Sequence, residues 1–251
     1  MAQQFDLMGQ SYEAALRNYP DLRREELDYL LAAADITPGA AAIDFTAGTG
    51  FVTLPLADRV GPTGRVTAVD SSGVMLDQLR GRLADPAEVT CVHTDDPHLA
   101  GLPTAGVDRV VSLGGFHHVE DQVAVCRALH RILRPGGRAV VMDFADASPA
   151  QEHFDGLVHD HNPGGHCGLF LSPSRATNLA RLVGCRATVE AVRFWWRFPS
   201  LIEAGRCFVQ LHGLRCPAEV AAARAGATFA APAAGPIALA IDYVVLVLHR
   251  A

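Results

Sequence analysis

The stretch Ile43-Asp44-Phe45-Thr46-Ala47-Gly48-Thr49-Gly50-Phe51 constrains the fold more than any other part of the chain. Residues 40–45 form an apolar run of strand length. The two glycines after it let the backbone turn sharply and come close to a ligand. Helical spacing resumes with Phe51, Leu54 and Ala57. A strand, a glycine turn and a helix N-terminus make a site where backbone amides hold a nucleotide-like molecule. A second apolar segment, residues 64–69, ends in Asp70, twenty positions past Gly50. That is the spacing of a carboxylate that accepts from ribose hydroxyls. A dinucleotide site would carry a third Gly or Ala three residues after Gly50, and Thr53 stands there instead. The pattern argues against a pyrophosphate and for a ligand with no phosphate.

Four further motifs follow in order: Asp70-Ser71-Ser72-Gly73-Val74-Met75-Leu76, Asp95-Asp96 ahead of Leu102-Pro103, the segment from Ser112 to Asp121 around Phe116-His117-His118, and Arg131-Ile132-Leu133-Arg134-Pro135-Gly136-Gly137. With the Asp44 to Gly50 motif, which reads close to D-x-A-x-G-T-G, they resemble class I S-adenosylmethionine (SAM) dependent methyltransferases. The resemblance is to the ubiquinone and menaquinone C-methyltransferase-like group and covers residues 5–144. Thr46 stands where that family has Ala or Gly.

The resemblance implies an α/β fold: a doubly wound, Rossmann-like, seven-stranded, mostly parallel sheet with an antiparallel C-terminal strand and helical lid insertions. It implies SAM as cofactor, bound by Asp44, Thr46, Ala47, Gly48 and Gly50 of the first motif and by Asp70 and Ser71 at the ribose. Met75 would lie against the adenine, with plain core as its other reading. Asp95 or Asp96 would accept from the adenine amine, Asp95 being preferred from the motif's alignment to Leu102-Pro103. Residues 5–13 resemble the segment that folds over the cofactor, with Tyr12 as lid residue. His117 and His118 would fall near the methionine end of SAM, one facing the substrate pocket.

Residues 107–113 read as a central strand that delivers Ser112, another candidate cofactor contact, to the sheet edge where ligands of open α/β folds bind. Residues 123–133 are amphipathic, and Pro135-Gly136-Gly137 ends that helix before a fifth strand at 139–144. Other local expectations follow. Asp21 is placed to cap a helix that turns Leu22, Leu27, Leu30 and Leu31 to the sheet. Pro55 should loosen the start of the helix from Gly50. Val74, Leu76 and Leu79 should face inward, and residues 88–92 should form a third strand.

Net charge is −6, with no run of like charge that would track phosphates, so nucleic acid is not a partner. All 21 basic residues are arginine, which excludes Schiff-base and lysine-base chemistry. Six cysteines without a C-x-x-C pair read as reduced thiols of a cytoplasmic protein. No apolar stretch has the length of a membrane helix, so no membrane partner is expected. Partners reduce to a small-molecule substrate and, for a homodimer, a second copy of the chain.

Residues 145–170 are polar and glycine-rich and concentrate His153, His159, His161, His166 and Cys167. They lack H-x-x-x-H, C-x-x-C or facial-triad spacing, so no metal is assigned, and a substrate-facing loop with His161 or His166 in contact is the preferred reading. Two strand-like segments, 187–196 and 242–248, are separated by about forty residues that imply an inserted element. Val189, Val192 and Trp195 are candidate inward residues of the first segment. An apolar helix within 199–214, with Trp195, Trp196 and Phe198 at its base, could roof a pocket for a planar or lipophilic molecule. The chain is thus organised as one class I methyltransferase domain, 1–251. Residues 1–35 are its N-terminal lid and helix, and insertions 145–172 and 197–237 its pocket roof.

The expected activity is SAM-dependent C- or O-methylation of a small aromatic or lipophilic molecule in specialised metabolism. His117 is the first candidate base and His161 the second. The alternative is a SAM-binding biosynthetic enzyme whose reaction is a cyclisation or decarboxylation.

Overall fold

The computed structural model describes residues 11–85 and 89–251. Residues 5–10 of the expected lid segment and Glu88 of the expected third strand lie outside the described residues.

β1 (Ala41–Phe45) is buried along its whole length, as a continuous apolar run must be when both faces of a strand are covered. β2 (Arg65–Asp70) lies parallel on one side of it and β4 (Val107–Leu113) parallel on the other. β3 (Val89–His93) adds parallel to β2, and β5 (Leu133–Phe144) parallel to β4. β7 (Ile237–His249) runs antiparallel to β5, and β6 (Arg186–Phe198) pairs antiparallel with β7 at the far edge. The sheet order is β3-β2-β1-β4-β5-β7-β6, the seven-stranded, mostly parallel arrangement expected. Because β2 and β4 leave β1 in opposite directions, a crevice opens at the carboxyl ends of these strands.

Helices cover both faces. α2 (Arg24–Ala34), α3 (Thr53–Val60) and α4 (Gly73–Arg80) bury Leu27, Leu30, Leu31, Leu56, Leu76 and Leu79 against one face. α5 (Gln122–Ile132) and a later helix, residues Pro173–Val183, bury Val125, Leu129, Ile132 and Leu179 against the other. Of three local expectations, two fail. α2 begins at Arg24 after a turn closed by the Arg24 amide on the Asp21 carbonyl, so Asp21 precedes the helix and does not cap it. Pro55 leaves a gap in the ladder, since the Leu54 and Leu56 amides on either side donate to the Gly50 and Val52 carbonyls while proline has no amide, and residues 50–52 stay a turn ahead of α3, the loosened start expected. Val74 is exposed in the first turn of α4, and Met75 is buried in its place.

Three elements lie over the carboxyl edge. A stretch helical at residues 11–18 (α1) leads the described chain. After β5 come α6 (Pro149–His153), a π turn at Phe154–Val158 and the short α7 (His159–His161), then Pro173–Val183 as α8. The connection from β6 to β7 holds α9 (Leu201–Leu211), the expected apolar helix, and an alanine-rich α10 (Ala218–Thr228) that the sequence reading does not anticipate. The two pack closely at Gly205, where a Cβ would come within 2.3 Å of the Ala218 carbonyl oxygen. In β6, Phe194, Trp196 and Phe198 face this roof and are buried, whereas Trp195 is exposed. Val189 and Trp195 share the other face; Val189 packs with the α5 and α8 cluster, and Trp195 does not, which corrects its assignment as an inward residue. No helix among the described residues is long and apolar enough to cross a membrane.

Candidate functional site

The crevice is a cavity of about 510 Å³, within the range of small-molecule sites. Its floor is the turn after β1, and its wall on the β2 side is Asp70. The Asp70 carboxylate ties two loops together: Oδ2 accepts from the Gly48 amide at 2.7 Å and Oδ1 from the Ser72 amide at 2.9 Å. Burial raises its pKa, opposed by these amide hydrogen bonds. The Ser71 amide is directed at the same carboxylate, and the acceptor capacity left after these amides is what a ribose hydroxyl needs.

The two glycines of the turn do different work. Gly48 sits at φ +54°, and a Cβ there meets no atom within 4 Å, so any side chain would project into open space beside Asp70. Gly50, at φ +91°, is packed instead on α4: a Cβ would strike Leu79 Cδ1 at 2.3 Å. Thr46 holds φ +64°, an outlier for a β-branched residue, and its Oγ1 pairs with Ser112 Oγ at 2.9 Å. Gly115 makes room for it, since a Cβ there would lie 2.7 Å from Thr46.

Of the residues singled out from the sequence, Tyr12, Thr46, Ala47, Gly48, Asp70, Ser71, Met75, Asp95, Asp96 and His117 line the cavity. Asp44, Gly50 and Ser112 do not. Asp44 lies beneath the turn, fully buried, accepting from Thr53 Oγ1 at 2.6 Å, and burial lifts its pKa to about 7. Ser112 supports Thr46 from below. These three shape the floor and do not face the cavity. His161 also lies off the cavity wall, its carbonyl accepting from the Arg215 amide, because the loop carries His166 inward instead. Asp96 spends its carboxylate on its own turn, accepting from the His98 and Ala100 amides at 2.9 and 2.8 Å, which lower its pKa. Asp95 is the exposed carboxylate beside it.

Several wall residues escape sequence reasoning. Arg23 is buried at the cavity edge, its Nε donating to Glu26 Oε2 at 2.8 Å, its Nη1 to the Tyr12 hydroxyl at 3.1 Å, and its guanidinium over the Phe51 ring. The charge of Glu26 holds the Arg23 pKa above its usual value against the opposing effect of burial. Glu26 also accepts from the Trp196 indole, so a carboxylate at a core-facing helix position was the available signal. Asp143 is another: a charge inside the apolar run of β5, accepting from His117 Nδ1 at 2.7 Å and from the His117 amide at 2.8 Å. His117 is buried and stacked on Phe170 at 4.8 Å, with its Nε2 free of hydrogen bonds. Phe154, Trp196, Leu211 and His212 close the cavity from above with a mostly apolar surface.

Residues 42–137 match a family model described as a methyltransferase domain. The chain is similar, at 30% identity over 156 residues, to ubiquinone/menaquinone biosynthesis C-methyltransferases of Burkholderia mallei and Burkholderia vietnamiensis. The match covers 62% of this chain, which spans 62% of the length of these curated relatives. Among solved structures, the YcgJ protein of Bacillus subtilis superposes with a TM-score of 0.67 at 15% identity, covering 91% of this chain and 99% of that one. A phosphoethanolamine N-methyltransferase of Haemonchus contortus, in complex with S-adenosylhomocysteine, gives a TM-score of 0.63 at 15% identity, covering 90% of this chain and 52% of that one.

Proposed function

Because residues 42–137 match a methyltransferase-domain model and the sheet is seven-stranded and mostly parallel, we propose that this chain transfers the methyl group of SAM to a planar, largely apolar organic acceptor. The observation that carries the reading is Asp70. It stands at the cavity wall, anchored by the Gly48, Ser72 and Ser71 amides, with acceptor capacity left for a ribose hydroxyl. The open space over Gly48 fits the sugar beside it. Met75 would pack on the adenine, and Asp95 would accept from its amine.

Bound SAM supplies a methyl group made electrophilic by its sulfonium. The chain contributes alignment, by holding the acceptor between Phe154, Trp196 and Leu211 and excluding water. Positioning of this kind can lower a barrier by roughly 7–11 kcal/mol. Tyr12 and Arg23 close the N-terminal side of the cavity as a hydrogen-bonded pair. His117 is the candidate to take the proton that a carbon or oxygen acceptor must lose: Asp143 fixes its ring through Nδ1 and leaves Nε2 available. The aromatic roof supports a quinone-like or phenolic acceptor, as does the similarity to enzymes named for C-methylation in quinone biosynthesis.

The test is incubation with methyl-labelled SAM and a panel of phenolic, quinone-like and polyketide-like acceptors, read by mass spectrometry. Labelled product formed in step with S-adenosylhomocysteine is expected. Product formed without S-adenosylhomocysteine would replace methylation by the non-methylating alternative.

A further inference from the structure

Three imidazoles meet where the turn after β4 touches the loop after α7. His117 and His118 lie in the 3₁₀ turn Phe116–His118, their rings 3.9 Å apart. His166 arrives from the loop, its ring 5.4 Å from His117 and 5.1 Å from His118. The loop is held by the Leu169 amide on the His117 carbonyl at 2.7 Å. It is pressed so close at Gly168 that a Cβ would lie 2.7 Å from the His117 ring and 3.3 Å from that of His166. One ring nitrogen from each histidine lies within 4.8 Å of the other two.

The polar accounting of this cluster is incomplete in a particular way. His117 Nε2 and both ring nitrogens of His166 are buried without hydrogen-bond partners, and the nearest carboxylate to His166, Asp155, is 3.7 Å away, too far to satisfy it. Buried imidazoles left in this state ordinarily have a partner. Neutral imidazole is the form that binds metal, and His117 Nε2 and the ring nitrogens of His166 are left unpaired in an apolar setting. Two of the rings are also oriented from behind, as ligand histidines are: His117 by the Asp143 carboxylate and His118 by a hydrogen bond with the Cys167 backbone.

We propose that His117, His118 and His166 form a three-histidine site for a divalent transition metal of the zinc type, with its open position toward the cavity. Imidazole nitrogens suit such ions, and three protein ligands with a free fourth position are the pattern of a site that takes a small molecule. Zn–N bonds of roughly 2.0–2.1 Å would draw the rings closer by about an ångström. His117 and His118 line the cavity, so the open position faces the space assigned to the methyl acceptor. The ligand class this selects is an acceptor with an anionic oxygen, such as a phenolate or enolate. With a metal bound, the acceptor's proton would be lost to solvent from a metal-bound oxygen, and the direct role of His117 as base applies to the metal-free protein. The acceptor assignment rests on the methyltransferase reading, whereas metal binding does not.

The experiment is titration of chelator-treated full-length protein with Co²⁺ in the absence of SAM, followed by visible absorption, with SAM binding measured separately by calorimetry on the same preparation. One equivalent of Co²⁺ with a d–d band of tetrahedral intensity is expected. The band should be lost in His166→Gln and in His118→Ala, each checked for folding by circular dichroism, and kept in the surface control His98→Gln. X-ray absorption on the zinc-loaded wild-type protein should show three imidazoles, which decides the question even where a variant fails to fold. No d–d band in the wild type, a band that persists in either folded variant, or fewer than three imidazoles would overturn the site. SAM binding without the cobalt band defeats the metal site alone. The cobalt band without SAM binding defeats the methyltransferase reading alone.

Discussion

Replacing Asp70 by Ala is the sharpest perturbation of the cofactor site. In the wild type its two oxygens accept from the Gly48 and Ser72 amides at 2.7 and 2.9 Å, the Ser71 amide adds a third bond, and the capacity that remains accepts from the ribose. Removing the carboxylate deletes a charge-assisted hydrogen bond to the ligand, whose hydroxyls are then met only by water. Hydrogen bonds to a charged group contribute about 1.5–3 kcal/mol net. A total loss in that range raises the Kd for SAM roughly 10- to 150-fold. The Gly48 amide freed by the substitution borders the open cavity and can be hydrated, whereas Ser72 is buried, so a structural penalty falls on the start of α4. Calorimetric titration with SAM and with S-adenosylhomocysteine, beside a thermal unfolding curve, separates the two effects. A Kd within twofold of wild type would refute the assignment of Asp70 to the ribose, whatever happens to the melting temperature.

Gly48→Val should abolish SAM binding while far-UV circular dichroism stays near that of the wild type, because the new side chain enters the cavity and not the core; retained binding would place the ligand elsewhere. Asp44 has its pKa raised by burial from 3.8 to about 7, so its contribution to stability is present in acid and is lost as pH rises from about 4 to about 7. The stability of Asp44→Asn relative to wild type should therefore rise with pH across that window, with a slope of at most about 1.4 kcal/mol per pH unit, and level off above it. A difference that is flat with pH in denaturant titrations would contradict this. Asp143→Asn leaves one oxygen for two His117 donors and should lower kcat about tenfold or more while leaving the Kd for SAM unchanged. An unaltered kcat in steady-state assays would remove His117 from the chemistry.

The fold was legible because its signals are local and repeated: an apolar strand, a glycine turn and an amphipathic helix, in register from Ala41 to Phe144. The cofactor floor was legible for the same reason, since Gly48 and Asp70 are tied by spacing along the chain. What the sequence hid depends on long-range packing. Arg23, Glu26 and Trp196 come together from α2 and β6, 170 residues apart for the Glu26–Trp196 bond, and no local pattern pairs them. The histidine-rich loop was visible, but which of its histidines points inward was not. Gly168 and the Leu169 amide seat His166 against His117, leaving His161 off the cavity wall. Trp195 and Trp196 are adjacent in a strand, so one had to face away from the roof, and composition alone could not choose between them.

The most direct test of the whole account is a crystal structure of the protein with S-adenosylhomocysteine. The account predicts the ribose hydrogen-bonded to Asp70, the sugar over Gly48, and the adenine between Met75 and Asp95. A ligand bound elsewhere on the molecule, or a cavity in which Asp70 makes no contact with the ribose, would contradict it.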